Sequence, residues 1–235
     1  MTHPTLRRHP GGTNERSADS SPADRPASLA GALRNDLRPH HDRLERRLSL
    51  PGAIAGPADY DQLLEMWTAV WATVSTSVAT SVARPGQELA ALAARSGLAL
   101  ALDRSELRAR CSVGHDRRSP QSAVGVARDA ASLWGTAYVL RGSALGNRYL
   151  HPLIAARLTD VPASAFRYLS ASGAQTRREW NDFCRRLDEW SGPASPEELH
   201  RTGVAAAAAF ALVGSVADRI GWPPATGLPA DGAAS

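Results

Sequence analysis

Apolar residues return every third or fourth position along most of the stretch 28–222, and that spacing admits helices and little else. Leu29, Leu33, Leu37, His41, Leu44 and Leu48 form the first stripe, with Ser28 placed to cap it and Pro51-Gly52 to end it. A second helix is expected over 57–83, with Leu63, Trp67, Val70, Trp71 and Val74 on one face. Shorter helices are expected at 88–94 and 104–110, then a polar loop at 112–120. A long, glycine-interrupted helix follows over 120–158, with others at 164–170, 175–190 and 196–220. Ser195 and Glu198 stand at capping-box spacing ahead of the last. No segment carries the two-residue alternation of a strand. The expected class is all-α: one domain over 28–222, of about seven to nine helices at typical lengths. The Pro-, Gly-, Ser- and Arg-rich segment 1–27 is expected to be a disordered tail, and 223–235 a flexible one.

Composition narrows the chemistry. All 27 basic residues are arginine, which removes Schiff-base and Walker-type lysine mechanisms. Two cysteines, Cys111 and Cys184, cannot build a disulfide framework, and neither lies in a CxxC pair. A reducing cytoplasm suits them, and neither has a partner that would make it a nucleophile. The N-terminal stretch has no apolar core of a signal peptide; 66–83 is uncharged but rich in Ser and Thr, and 203–214 is too short to span a bilayer. No membrane partner is therefore expected. A net charge of +4, spread over many helices with 6% aromatic residues, does not read as a nucleic-acid surface.

Two features carry chemistry. His41 occupies a position of the first stripe where leucine would fit, while His40 is turned about 100° away. An imidazole there is either a core histidine hydrogen-bonded to backbone or water, or a metal ligand. Gly142 and Gly146 share one face of the long helix, at a cost of about 2 kcal/mol relative to alanine. Without Cβ atoms the backbone can meet a flat partner closely. That partner is another helix or a planar ligand, with Ser143 beside it. Glu197 and His200 have the spacing of a di-iron motif, but no second such motif accompanies them, and Glu is favoured in a first helical turn anyway.

Leu33-Arg34 followed by His41-Asp-Arg-Leu44-Glu45 resembles the proximal-helix pattern of the haem oxygenases. Tyr138-Val-Leu-Arg-Gly-Ser-Ala-Leu-Gly resembles their distal-helix segment, in the form found in the bacteriophytochrome-associated bacterial branch. Phe166, Tyr168, Gly173, Trp180 and Phe183, and the alanine-rich final helix with Phe210 and Trp222, also look like that branch. The resemblance implies an all-α, haem-oxygenase-like domain that holds haem, at once substrate and cofactor, between a proximal and a distal helix. It implies His41 as the iron ligand, Gly142 and Gly146 as the residues that let the distal helix lie over the haem face, and Arg34 as a propionate partner. Tyr138 is a further propionate candidate by its chemistry, and Ser143 a candidate to hold a distal water. The implied products are biliverdin, carbon monoxide and ferrous iron, with a ferredoxin or reductase as electron donor and a bacteriophytochrome as acceptor of the pigment. Haem binding without cleavage is the alternative, followed by a di-iron oxidase on the same fold. The chain departs from the family pattern at Leu37, where Thr is usual; at Pro39, two residues before His41; at Arg141, in place of Glu; and at Asn147, in place of a second glycine.

Overall fold

The computed structural model describes residues 28–111, 126–171 and 175–224, and all of their regular structure is helical. The helices are α1 (Leu29–Asp36), α2 (Arg38–Leu48), α3 (Pro57–Val78), α4 (Arg84–Cys111), α5 (Ala130–Arg157), α6 (Arg167–Ser170), α7 (Gln175–Ser191) and α8 (Pro196–Arg219), with a 3-10 turn at Ala163–Ala165. The all-α expectation holds. The tail expected at 1–27, the polar stretch from Ser112 to Pro120, Gly173 and all but Pro223 and Pro224 of the second tail lie outside the described residues.

The stripe from residue 28, where Pro39 admits either a bend or a late helix start, divides at Leu37. Its N–H still bonds the Leu33 carbonyl of α1, and its carbonyl receives the first bond of α2, from His41 N–H. Pro39 explains the division. At the second position of a helix its missing N–H costs nothing, because first-turn donors have no partner within the helix. Further along, the two short helices expected at 88–94 and 104–110 are one 28-residue helix, α4. Gly97 does not break it, because Leu89, Ala93, Leu100 and Leu107 continue a buried stripe on both sides of the glycine. The start expected at Pro120 moves to Ala130, where Asp129 caps α5 by accepting from Ser132 N–H. The Ser28 cap and the Ser195–Glu198 capping box form as expected.

Packing centres on α5 lying along α8 and α3 lying along α4. The first pair touches backbone to backbone. A Cβ at Gly135 would lie 2.1 Å from the Thr202 carbonyl oxygen and 2.9 Å from the Ala206 nitrogen. Helix α8 is long and apolar enough to cross a membrane by length and composition, yet its Thr202, Ala206, Ala209 and Val213 stripe is buried within the bundle. Buried polar groups tie the ends. Asp103 Oδ1 and Oδ2 accept the N–H groups of Arg167 and Tyr168, pinning α6 to α4. Burial raises the Asp103 carboxyl above its ordinary range despite those donors. Trp222 Nε1 donates to the Leu48 carbonyl, and Gln62 Nε2 to that of Ile220, closing the C-terminus over α2 and α3. A Gly135→Ala protein is expected to lose about 1–3 kcal/mol of stability in urea denaturation, because overpacking against backbone outweighs the helix-propensity gain. An unchanged urea midpoint would mean that the two helices part at no cost.

Candidate functional site

The candidate ligand His41 stands in the first turn of α2. Its side chain is 56% exposed and not buried on the stripe, as its register with the leucines implied. The break at Leu37 is the reason. Leu33 and Leu37 bury themselves ahead of the break, whereas α2 buries Leu48 fully and His40, Asp42 and Leu44 only in part, so His41 stands clear of the core. His41 Nδ1 lies 3.6 Å from Glu45 Oε2 and 3.9 Å from Asp42 Oδ1. Both are ion-pair distances, longer than a hydrogen bond; a carboxylate that closed onto Nδ1 would fix the ring and leave Nε2 to a ligand, the arrangement typical of metal-binding imidazoles. The ligand atoms of His41, Asp42 and Glu45 all lie within 4.8 Å of one another on this open turn. Phe210 of α8 meets both histidines: the His41 ring edge-on at 6.1 Å, the His40 ring stacked at 6.4 Å.

Gly142 and Gly146 sit on α5, and the structure separates them from the glycine that serves packing. Gly135 is required by α8. Among the described residues, a Cβ at Gly142 would only rest on the Trp180 indole at 3.7 Å, and one at Gly146 would meet nothing within 4 Å. Helix packing therefore demands neither, and nothing from α2, His41 included, comes within 4 Å of either position. Beyond them on the same face, Tyr149 and Leu153 are 65% and 51% exposed. Ser143 donates its hydroxyl proton to the Leu140 carbonyl, so only its lone pairs remain to accept from a water.

Arg34 and Tyr138 do meet. Tyr138 is buried against Trp180, and its hydroxyl donates to the Ala30 carbonyl at 3.2 Å while the positive charge of Arg34 lies nearby. Burial raises the phenol, with the Cys184 thiol adding to it and Arg34 opposing. Tyr138 thus enters the site as the group that holds α1 and Arg34 against α5. Arg34 itself is exposed and able to reach a ligand carboxylate. Cys184 is pushed up to about 11 by burial and by Asp188, which makes its thiol inert at neutral pH.

The positions that depart from the family pattern point elsewhere. Arg141 binds Glu88 Oε2 at 3.0 Å and lies over the Phe183 ring, away from the glycine face. Asn147 is buried at 5% exposure beside the Tyr168 hydroxyl, which receives Trp71 Nε1–H at 3.1 Å. It braces α5 against α3 and α6. Glu197 is 79% exposed and paired with Arg201, and His200 is exposed, so the Glu-x-x-His spacing lies on the surface. Sequence reasoning missed the roles of Glu45 and Gly135; the four-residue step from His41 was the available signal for the first, and no local signal marked the second.

No protein-family model matches the chain, and no curated protein matches it. In the protein without added ligand, Gly146→Ala is expected to raise stability by about 0.5–1 kcal/mol, since the new methyl meets only open space. A destabilised Gly146→Ala protein in urea titration would show that the position is packed after all.

Proposed function

We propose that the chain is a haem oxygenase: it binds haem as substrate and, with dioxygen and reducing electrons, opens it to biliverdin, carbon monoxide and ferrous iron. The observation that carries this reading is the pair Gly142 and Gly146, two helix-interior glycines on one face whose cost no internal close approach offsets. A planar substrate on that face offsets it, and a side chain at either position would occupy the same space.

The donor set fits haem. His41 offers Nε2 to the iron because Glu45 faces Nδ1. Arg34, exposed on α1 and steadied by Tyr138, offers a fork for a propionate. Haem supplies the iron at which dioxygen is bound and reduced. The chain's own residues supply placement. The glycine face lets α5 lie close over the ring plane, which favours attack at the ring edge and excludes bulk water. Ser143 Oγ can accept from a water there, and that water carries the proton, so no strong general acid is required. Arg141 keeps its charge out of the pocket, bound to Glu88. An electron donor such as a ferredoxin or a reductase would serve the reaction, and a bacteriophytochrome is a natural acceptor for the pigment; a cytoplasmic setting suits both. Haem binding without cleavage is the second reading. It is favoured by one observation, that the Ser143 hydroxyl proton is spent on the Leu140 carbonyl and cannot itself be donated.

Hemin added to the purified chain is expected to bind about one to one with a histidine-ligated Soret spectrum. The His41→Ala protein should lose that spectrum and His40→Ala keep it. With ascorbate, oxygen and a carbon monoxide trap, the Soret band should decay as a biliverdin band grows. A persistent Soret band with no bile pigment on acid extraction would leave only the second reading. Retention of the ligated spectrum in His41→Ala with its loss in His40→Ala would move the iron to His40.

A further inference from the structure

A second cleft lies on the flank of α2 that carries His40, and the Phe210 ring that walls it also meets the edge of His41. The cleft, of about 300 Å³, runs between α2 and α8, and His40, Arg43, Arg47, Phe210, Gly214 and Asp218 are among the residues that line it. Neither His41 nor any residue of α5 lines it. On α2 the steps from His40 to Arg43 and Arg47 are three and four residues, so these side chains share one flank, and His41 is turned about 100° from the first of them.

The chemistry of the cleft is specific. Phe210 gives it an aromatic wall, and the His40 ring lies within 23° of parallel to that wall. Two guanidinium groups and one carboxylate face it. Arg47 is ion-paired with Asp218, which cancels both charges. Arg43 has no carboxylate and no hydrogen-bond acceptor among the described residues, so one positive charge stands unmatched at an apolar opening. Small residues floor the α8 side: a Cβ at Gly214 would touch only the Arg47 stem, at 3.9 Å. The volume is at the lower end of small-molecule sites, enough for one or two fused rings. We infer that this cleft binds a small planar aromatic carboxylate, its ring against Phe210 and its carboxylate on the Arg43 guanidinium. Apolar area and ring contact supply the affinity, and the charge-assisted fork selects the anion.

Calorimetric titration of the full-length, hemin-free chain with 2-naphthoate tests this. One saturable site is expected, with a Kd of about 1 mM or tighter for a ligand of this size. The neutral 2-naphthalenemethanol should bind about tenfold more weakly, and Arg43→Gln should weaken naphthoate by about the same factor. Gly214→Leu should fill the cleft and abolish binding, with helicity checked by circular dichroism. Arg43 is exposed, so its Gln variant keeps the fold and carries the test should Gly214→Leu unfold. The titration uses the hemin-free chain, so failure of the haem reading leaves this result untouched. Absence of saturable binding, equal binding of the alcohol, undiminished affinity in Arg43→Gln, or binding that survives in a folded Gly214→Leu would each overturn the proposal.

Discussion

The contact between α5 and α8 at Gly135 governs the arrangement of the rest. Backbone meets backbone there, with no room for a methyl group. Steps of seven, four, three and four residues lead from Gly135 through Gly142, Gly146 and Tyr149 to Leu153, all on one stripe of α5. The N-terminal part of that stripe is sealed by α8. Further along, α7 reaches the stripe only through the Trp180 indole at Gly142, and at Gly146 no described residue comes within 4 Å of where a Cβ would stand. Three glycines on one helix thus have two different physical explanations. The first is a structural necessity that α8 accounts for; the other two are a cost for which the fold itself offers no return.

Electrostatics keep this open face neutral. With no lysine in the chain, every fixed cation is a guanidinium, and three of them, from Arg84, Arg141 and Arg186, gather on Glu88. Two of these guanidiniums are largely buried, and the Nε atoms of Arg141 and Arg186 have no acceptor, so the cluster gives up solvation in exchange for geometry. It draws Arg141 to the side of α4 and α7. Asn147, on the far side of the helix, is drawn into the core by Tyr168 and Trp71. Between these anchors the helix cannot rotate about its axis without breaking one of them, and the orientation of the glycine face follows.

Helix positions were legible in the sequence wherever one stripe ran between clear punctuation. Ser28, Pro57 and the Ser195–Glu198 box place three starts within a residue. Reading failed where punctuation and tertiary packing disagreed. The two short helices expected at 88–94 and 104–110 are one, because Gly97 between them costs only about 1 kcal/mol, less than the stripe through Leu100 and Leu107 recovers. Pro39 admits either a kink or a late helix start, and the late start forms, because the chain had already ended one helix at Leu37. Reading one stripe through that division put His41 on the buried face. At the site, Gly142, Gly146 and the Arg34–Tyr138 pairing could be located from residue type and spacing. The direction taken by Arg141 and Asn147 could not, since it depends on Glu88 and Tyr168, which lie 53 residues before the one and 21 residues after the other.

The division at Leu37 has a mechanical consequence. On one side, α1 is fastened by the Tyr138 hydroxyl on the Ala30 carbonyl and by the Asp188 carboxylate on the Ala30 N–H. On the other, α2 is fastened at its far end, where the Leu48 carbonyl receives the Trp222 indole. The segment between is a beam held at both supports, with a single articulation and a histidine one turn beyond it. Leu37 is itself buried and hydrogen-bonded on both sides, so the two supports and this joint together fix where the imidazole stands, with Glu45 held on the next turn beside it.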